Sequence, residues 1–154
     1  MMLISAFVFV ISIYSLLYYF RYACRSVLRH EFEKDYSTSV VSANNLEFLG
    51  VRRALAQELP EPQYAPMAEA LERDFHTLTY LLRNAATVHV GRYSRQERIL
   101  IIDYHLLRLW YSLKRLMRVP GLRGTLVEMT DILSYFANVM GQRAATFATA
   151  NLTY

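Results

Sequence analysis

The chain has 154 residues with 17 Lys and Arg against 13 Asp and Glu, and its single cysteine excludes an internal disulfide. Only five glycines and four prolines occur, so we expect few turns and long elements. The net charge of +4 includes no Lys/Arg-rich tract, and no nucleic-acid-binding motif occurs, so we expect no nucleic acid among the partners.

Residues 1–20 contain no Asp, Glu, Lys, Arg or His. As a helix rising ~1.5 Å per residue, this run would be roughly 30 Å long, which is the thickness of a bilayer's hydrocarbon core. A helix also satisfies its own backbone hydrogen bonds, as lipid requires. The run therefore predicts a single transmembrane helix. A cleaved signal peptide is the alternative, but no basic residue precedes the run, and the run is longer than a signal-peptide core.

Arg21, Arg25 and Arg29 follow the apolar run directly, and no Lys or Arg precedes it. Positive charge beside a span favours the cytoplasmic side, which places the N-terminus outside and the C-terminal domain in the cytoplasm. The three arginines are four residues apart on one face of a helix predicted to continue to residue 34. We expect this basic extension, within a membrane unit of residues 1–34, to contact anionic lipid headgroups of the bilayer.

Small and hydroxyl side chains recur on one face of the predicted span. The face consists of Ser5, Val8, Ser12, Ser15 and Tyr19. Small residues let helices approach closely in lipid and hydroxyls bond across, so this face predicts packing against another transmembrane helix. The alternative is that the serines bond only to their own helix.

Residues 35–44 are polar and β-branched, and we interpret them as a linker before a helical domain at 45–150. Breaks at Pro60, Gly91 and Pro120 divide that domain into four amphipathic stretches. Short connections favour antiparallel neighbours, so the predicted fold is all-α, an antiparallel four-helix bundle after the membrane helix. The predicted helices are about 45–59 with Asn44 or Asn45 as N-cap, 66–88 from Pro66, one from a capping box at Ser94 and Glu97 to Pro120, and 122–147.

Apolar residues three and four apart mark the expected core face of each helix. These are Phe48, Val51, Leu55 and Leu59; Met67, Leu71, Phe75, Leu78, Leu82 and Ala85; Ile99, Ile102, Leu106, Leu109, Leu113 and Leu116; and Leu122, Leu126, Met129, Leu133, Phe136 and Met140. We also expect Trp110 in the core.

Helical bundles can hold carboxylate-bridged metal pairs, but these sites need Glu-x-x-His motifs, and none occurs. The sequence has no phosphate-binding glycine loop and no nucleophile elbow. We therefore expect no enzyme activity, no cofactor and no catalytic or metal-binding residue. His76 or His105 as a single haem ligand stays open as an alternative, since one axial histidine suffices.

A small anchored helical domain without a chemical site is expected to bind other proteins. The first hypothesis is an accessory or structural subunit of a larger membrane protein complex, with Tyr104, Arg108 and Tyr111 as partner contacts because aromatics and arginine anchor interfaces. The second is a membrane-tethered self-associating adaptor or signalling module, using Ile132 and Val139. The third is a carrier of haem, pigment or metal.

Overall fold

The computed structural model describes residues 2–29, 32, 34–57, 60, 63–85 and 93–151. Within these ranges the chain forms six α-helices and no strand, which confirms the all-helical prediction. The chain divides into two compact units, Met1–Glu31 and Phe32–Tyr154. The helices are α1 (Met2–Leu28), α2 (Ser37–Asn44), α3 (Phe48–Leu55), α4 (Tyr64–Ala85), α5 (Arg95–Met117) and α6 (Leu122–Asn151).

The first unit is built on α1, which ends at Leu28, before the predicted end at residue 34. Its segment Ile4–Leu28 has a mean hydropathy of 1.6, and none of its most apolar stretch is buried. It is the one helix of the described residues that is long and apolar enough to cross a membrane. Large apolar side chains such as Phe7, Phe9 and Leu16 are exposed along it.

The second unit is organised around α6, which packs against α2, α3, α4 and α5. Residues on several sides of α6 are fully buried, among them Leu126, Ile132 and Phe136. Most of the core face predicted for this helix is confirmed, since Leu122, Leu126, Met129, Leu133 and Phe136 are all buried. A helix that contacts four others is buried on more than one face, which explains why Ile132 and Ala137 join the core.

The segment predicted as a linker, 35–44, is largely helical, because α2 occupies Ser37–Asn44. Asp35 Oδ1 accepts the backbone N–H of Ser37 at 2.9 Å and so starts the helix. Asn45 was predicted as a possible N-cap of the next helix, but it ends α2 instead, in the left-handed conformation with φ 50°. Asparagine tolerates this conformation better than most residues, and its N–H then bonds to the carbonyl of Val41.

The start of α3 is capped by a side chain from α4. Asp74 is buried, and its Oδ2 accepts the backbone N–H groups of Glu47 and Phe48, both at 2.7 Å. Burial raises the pKa of this carboxyl above its usual range, even though the two N–H donors act in the opposite direction. The cap fixes the short helix α3 to α4, and the predicted core residues Phe48, Val51 and Leu55 are buried.

The core face predicted for α5 is wrong. The helix buries Leu100, Tyr104, Leu107 and Tyr111, and it leaves most of the predicted face, from Ile102 to Leu116, exposed. The helix begins at Arg95 after the predicted capping box of Ser94 and Glu97, which is confirmed. Two apolar faces therefore run along α5, and the side chains that α4 and α6 offer decide which one is buried.

Candidate functional site: the exposed apolar face of α5

The exposed side of α5 carries a row of large apolar side chains, which we call the α5 apolar face. Their exposed fractions range from 38% to 82%. Trp110 and Met117, at 52% and 63%, lie along its edge. The α5 apolar face consists of Ile102, Leu106, Leu109, Leu113 and Leu116.

These five residues follow one another at spacings of four, three, four and three, so they lie on one side of the helix. At about 100° per residue, that side is opposite the one formed by Leu100, Tyr104 and Tyr111, which faces the core. A surface helix ordinarily presents polar residues opposite its buried face. A continuous exposed apolar row is instead typical of a surface that binds protein or membrane.

The exposed charges of α5 are all positive. Arg95, Arg98 and Arg115, and Arg118 directly after the helix, are exposed and form no ion pair with any residue that the structure describes. The two acidic residues of the helix, Glu97 and Asp103, are each only 2% exposed. A basic surface with no accompanying exposed carboxylate on its helix is suited to an anionic partner.

The structure separates the three side chains predicted to contact a partner. Tyr104 and Tyr111 are 1% and 5% exposed, so they belong to the core of this chain. Arg108 is exposed and forms an ion pair with Glu72, which links α5 to α4. Trp110, predicted in the core, is exposed, with the Lys114 ammonium 5.6 Å from the centre of its ring.

The side chain of Tyr104 links α5 to α4. Its ring stacks on Phe75, with ring centres 3.8 Å apart and planes 2° from parallel. Its hydroxyl is buried and has no hydrogen-bond partner among the described residues. Burial raises the pKa of Tyr104, and the nearby carboxylate of Glu72 adds to the effect. The ring stabilises the packing, whereas the hydroxyl carries an uncompensated desolvation cost.

We therefore expect Tyr104→Phe to raise the free energy of unfolding by about 1 kcal/mol, because it removes only the unpartnered hydroxyl. Tyr93→Phe is the matched control, since the Tyr93 hydroxyl donates to the carbonyl of Thr79 at 2.9 Å. The free energy of unfolding of the Tyr93→Phe variant should fall by about 1 kcal/mol. Urea unfolding of the full chain in detergent micelles, followed by circular dichroism, measures both. A loss for Tyr104→Phe equal to the control would show that its hydroxyl is bonded.

The residues predicted to pack in the membrane share one face of α1, and all of them are exposed: Ser5, Val8, Ser12, Ser15 and Tyr19. The Ser12 hydroxyl donates to the carbonyl of Val8 at 2.9 Å, so it is satisfied within its own helix. Arg21 and Arg25 lie in the last two turns of α1, and Arg29 directly follows its end.

Neither His76 nor His105 lies in a cluster of metal-ligating side chains among the described residues. Among the described residues, no group of three His, Cys, Asp or Glu side chains comes together. His76 Nε2 lies 3.7 Å from the Glu72 carboxylate, which also pairs with Arg108. The ring of His105 packs edge-on against Phe75, with centres 5.4 Å apart. An open depression lies beside this region, lined by His76, Thr77, Thr79, Tyr80, Arg83 and Tyr93.

Among the described residues, large apolar side chains are exposed in continuous stretches on α1 and on the α5 apolar face. Both follow from burial and charge within each unit. Comparison with protein-family models, with curated proteins and with solved structures gives no match.

Proposed function

We propose that the chain is a single-pass, membrane-anchored helical accessory subunit of a larger membrane protein complex. The observation that carries the proposal is α1, which exposes most of its large apolar side chains between Ile4 and Tyr22. In water each of these side chains would lose about 1.5–3 kcal/mol relative to burial. A bilayer removes this cost, and the helical backbone meets the requirement that lipid imposes on a span.

The charges at the end of α1 support one orientation. Arg21, Arg25 and Arg29 stand at its C-terminal end. In this proposal the N-terminus lies outside and the C-terminal domain is cytoplasmic. The three arginines then lie at the level of anionic headgroups, where each contributes about 1 kcal/mol.

Partner subunits bind α1 through its face of small and hydroxyl side chains. Ser12 donates to its own helix, so its small size, rather than a bond across the interface, favours close approach. Because Ser15 lies on the same face less than one turn further along, the two serines together make a shallow surface for a neighbouring helix.

In this proposed function, the second unit is an antiparallel bundle that carries the α5 apolar face. Two contacts support opposite directions for α4 and α5: Glu72 pairs with Arg108, and one turn later in α4 Phe75 stacks on Tyr104, one turn earlier in α5. The bundle holds the α5 apolar face at its surface, where it is accessible for binding. Catalysis and cofactor binding form no part of this function.

A self-associating adaptor or signalling module is the second candidate. The heptad-like spacing of the α5 apolar face favours it, because spacings of three and four residues suit helix–helix packing between copies. Of the two residues predicted for this role, Ile132 is fully buried in the core, whereas Val139 is half-buried.

Extraction of a C-terminally tagged chain from native membranes in mild detergent tests the proposal. Mass spectrometry of the purified material should identify other subunits at fixed stoichiometry, and its absorption spectrum should show no chromophore. A homogeneous protein without other subunits would favour the adaptor. A coloured or metal-loaded protein would favour a role for His76 or His105.

Replacing both Ser12 and Ser15 with leucine should reduce the yield of co-purified subunits while membrane insertion is retained, because the larger side chains hold a neighbouring helix away. Val10→Leu with Tyr14→Leu is the matched control, since it changes the opposite face of α1 and should leave assembly intact. Mass spectrometry of equal amounts of tagged protein measures the yield. If the serine and control variants assemble equally well, the packing face is elsewhere.

A further inference from the structure

We propose that the α5 apolar face docks the helical domain onto the surface of an anionic bilayer, with α5 parallel to the membrane plane. This inference rests on the proposed membrane anchor and goes beyond it, since it assigns an occupant to a surface of the second unit. Three observations support it: the exposed apolar row, the edge residue Trp110 and the uniformly positive exposed charge of α5.

The side chains of α5 match those of helices that lie at a lipid interface. Such helices bury leucine and isoleucine among the upper acyl chains, place tryptophan at the boundary and direct arginine and lysine to the headgroups. Leu109 and Leu116 are 67% and 82% exposed, and Trp110 lies at the edge of their row. Lys114, which lies over the Trp110 ring, has a stem long enough to reach a headgroup.

The charges distinguish a bilayer from a second copy of the chain. In a parallel pair of α5 helices, Arg95 and Arg98 would face themselves. In an antiparallel pair they would lie against Leu113 and Leu116 of the other copy. The parallel pair places like charges together, and neither arrangement provides an exposed carboxylate from α5, because Glu97 and Asp103 are buried. An anionic lipid surface places negative charge opposite Arg95 and Arg98, which lie on the same side of α5 as the apolar row.

The covalent link makes weak docking sufficient. Only a few residues separate the end of α1 at Leu28 from the start of the second unit at Phe32. A domain tethered this closely to a membrane meets its surface at an effective concentration in the millimolar range. Modest apolar and electrostatic contacts then suffice to hold α5 down, and changes in ionic strength or lipid charge release it.

Trp110 is the single tryptophan of the chain, so its fluorescence reports on this face alone. The experiment reconstitutes the full chain into phosphatidylcholine vesicles with or without phosphatidylserine. We expect a blue-shifted Trp110 emission, quenched by lipids brominated in the upper acyl chain, when phosphatidylserine is present. The shift should decrease as salt is raised, because salt screens headgroup attraction.

Arg95→Gln with Arg98→Gln tests the charge contribution. At about fivefold per arginine near an anionic surface, the pair should lower the ratio of docked to undocked domain by roughly 25-fold. Arg73→Gln with Arg83→Gln removes the same charge from exposed positions of α4 and should leave the signal unchanged. Leu109→Ser, in the middle of the exposed row, should reduce the quenching without altering the helical content, since the residue is outside the core.

Three outcomes would overturn the inference. Trp110 emission that is the same with and without phosphatidylserine, and is unquenched, would show that the face does not touch lipid. A blue shift that depends on protein density but not on lipid charge would assign the face to a second copy. An equal loss of Trp110 quenching in the α5 and α4 double variants would show that the signal depends only on the net charge of the chain. Alkaline extraction of the same vesicles tests the anchor separately: a chain that is released fails the proposed function, whereas a retained chain with unquenched Trp110 fails only this inference.

Discussion

Replacing Arg143 with methionine should lower the free energy of unfolding by about 3 kcal/mol, because it leaves a buried carboxylate without its cation. Glu97, 2% exposed, pairs with Arg143 of α6, and its second oxygen accepts the backbone N–H of Ser94 at 3.1 Å. Methionine keeps the length and apolar stem of the arginine. The loss therefore reports the unpaired charge rather than lost packing.

Arg52→Met is the matched control. Arg52 lies 3.2 Å from Asp131, but the two side chains are 51% and 37% exposed, so the pair contributes only about 0–1 kcal/mol. Urea unfolding in detergent micelles, followed by circular dichroism, compares the two variants. Equal losses would mean that the hydrogen bond from Ser94 is enough to hold Glu97 buried.

Replacing Gly141 with alanine should cost about 2–3 kcal/mol, even though alanine is the better helix former. Gly141 lies in the second half of α6, against the side chain of Tyr36, the N-cap residue of α2. A Cβ at this position would lie 2.2 Å from the Tyr36 Cβ and 2.7 Å from its Cγ. Tyr36 is held in place because its backbone N–H donates to Asn138 Oδ1 at 2.6 Å. Relief of the clash would therefore displace α2 from α6.

Gly124→Ala on the same helix isolates the steric effect. A Cβ added there meets no described atom within 4 Å, so the substitution should stabilise the chain by about 0.5 kcal/mol through helix propensity. Thermal or urea unfolding of both variants gives the difference. A stabilised Gly141→Ala would show that α2 does not pack at this point.

Local patterns in the sequence determined most of the helices. The uncharged run at residues 1–20 predicted α1, and the capping box at Ser94 and Glu97 predicted the start of α5, because both signals act through neighbouring residues. The core of α6 followed from its apolar periodicity, since that helix lies in the centre of the second unit and its main face is buried whatever surrounds it.

Other features depended on contacts between residues far apart in the chain. Asp74 caps α3 from a position 26 residues beyond Phe48, a link that no local signal shows. Residues 35–44 resembled a linker because the contacts that hold α2 come from a distant part of the chain. The backbone N–H of Tyr36 donates to Asn138, and the Tyr36 side chain packs against Gly141, both on α6.

The sequence by itself determined that this protein is all-helical, with an apolar N-terminal helix and an overall positive charge, because composition and short-range spacing are sufficient for these properties. Only the tertiary structure decided which side of α5 is exposed. Both sides of the helix are apolar, and the periodicity of apolar residues predicted that the more regular row is buried. The side with Tyr104 packs against α6 and stacks on Phe75 of α4, and the row from Ile102 to Leu116 is left facing outward.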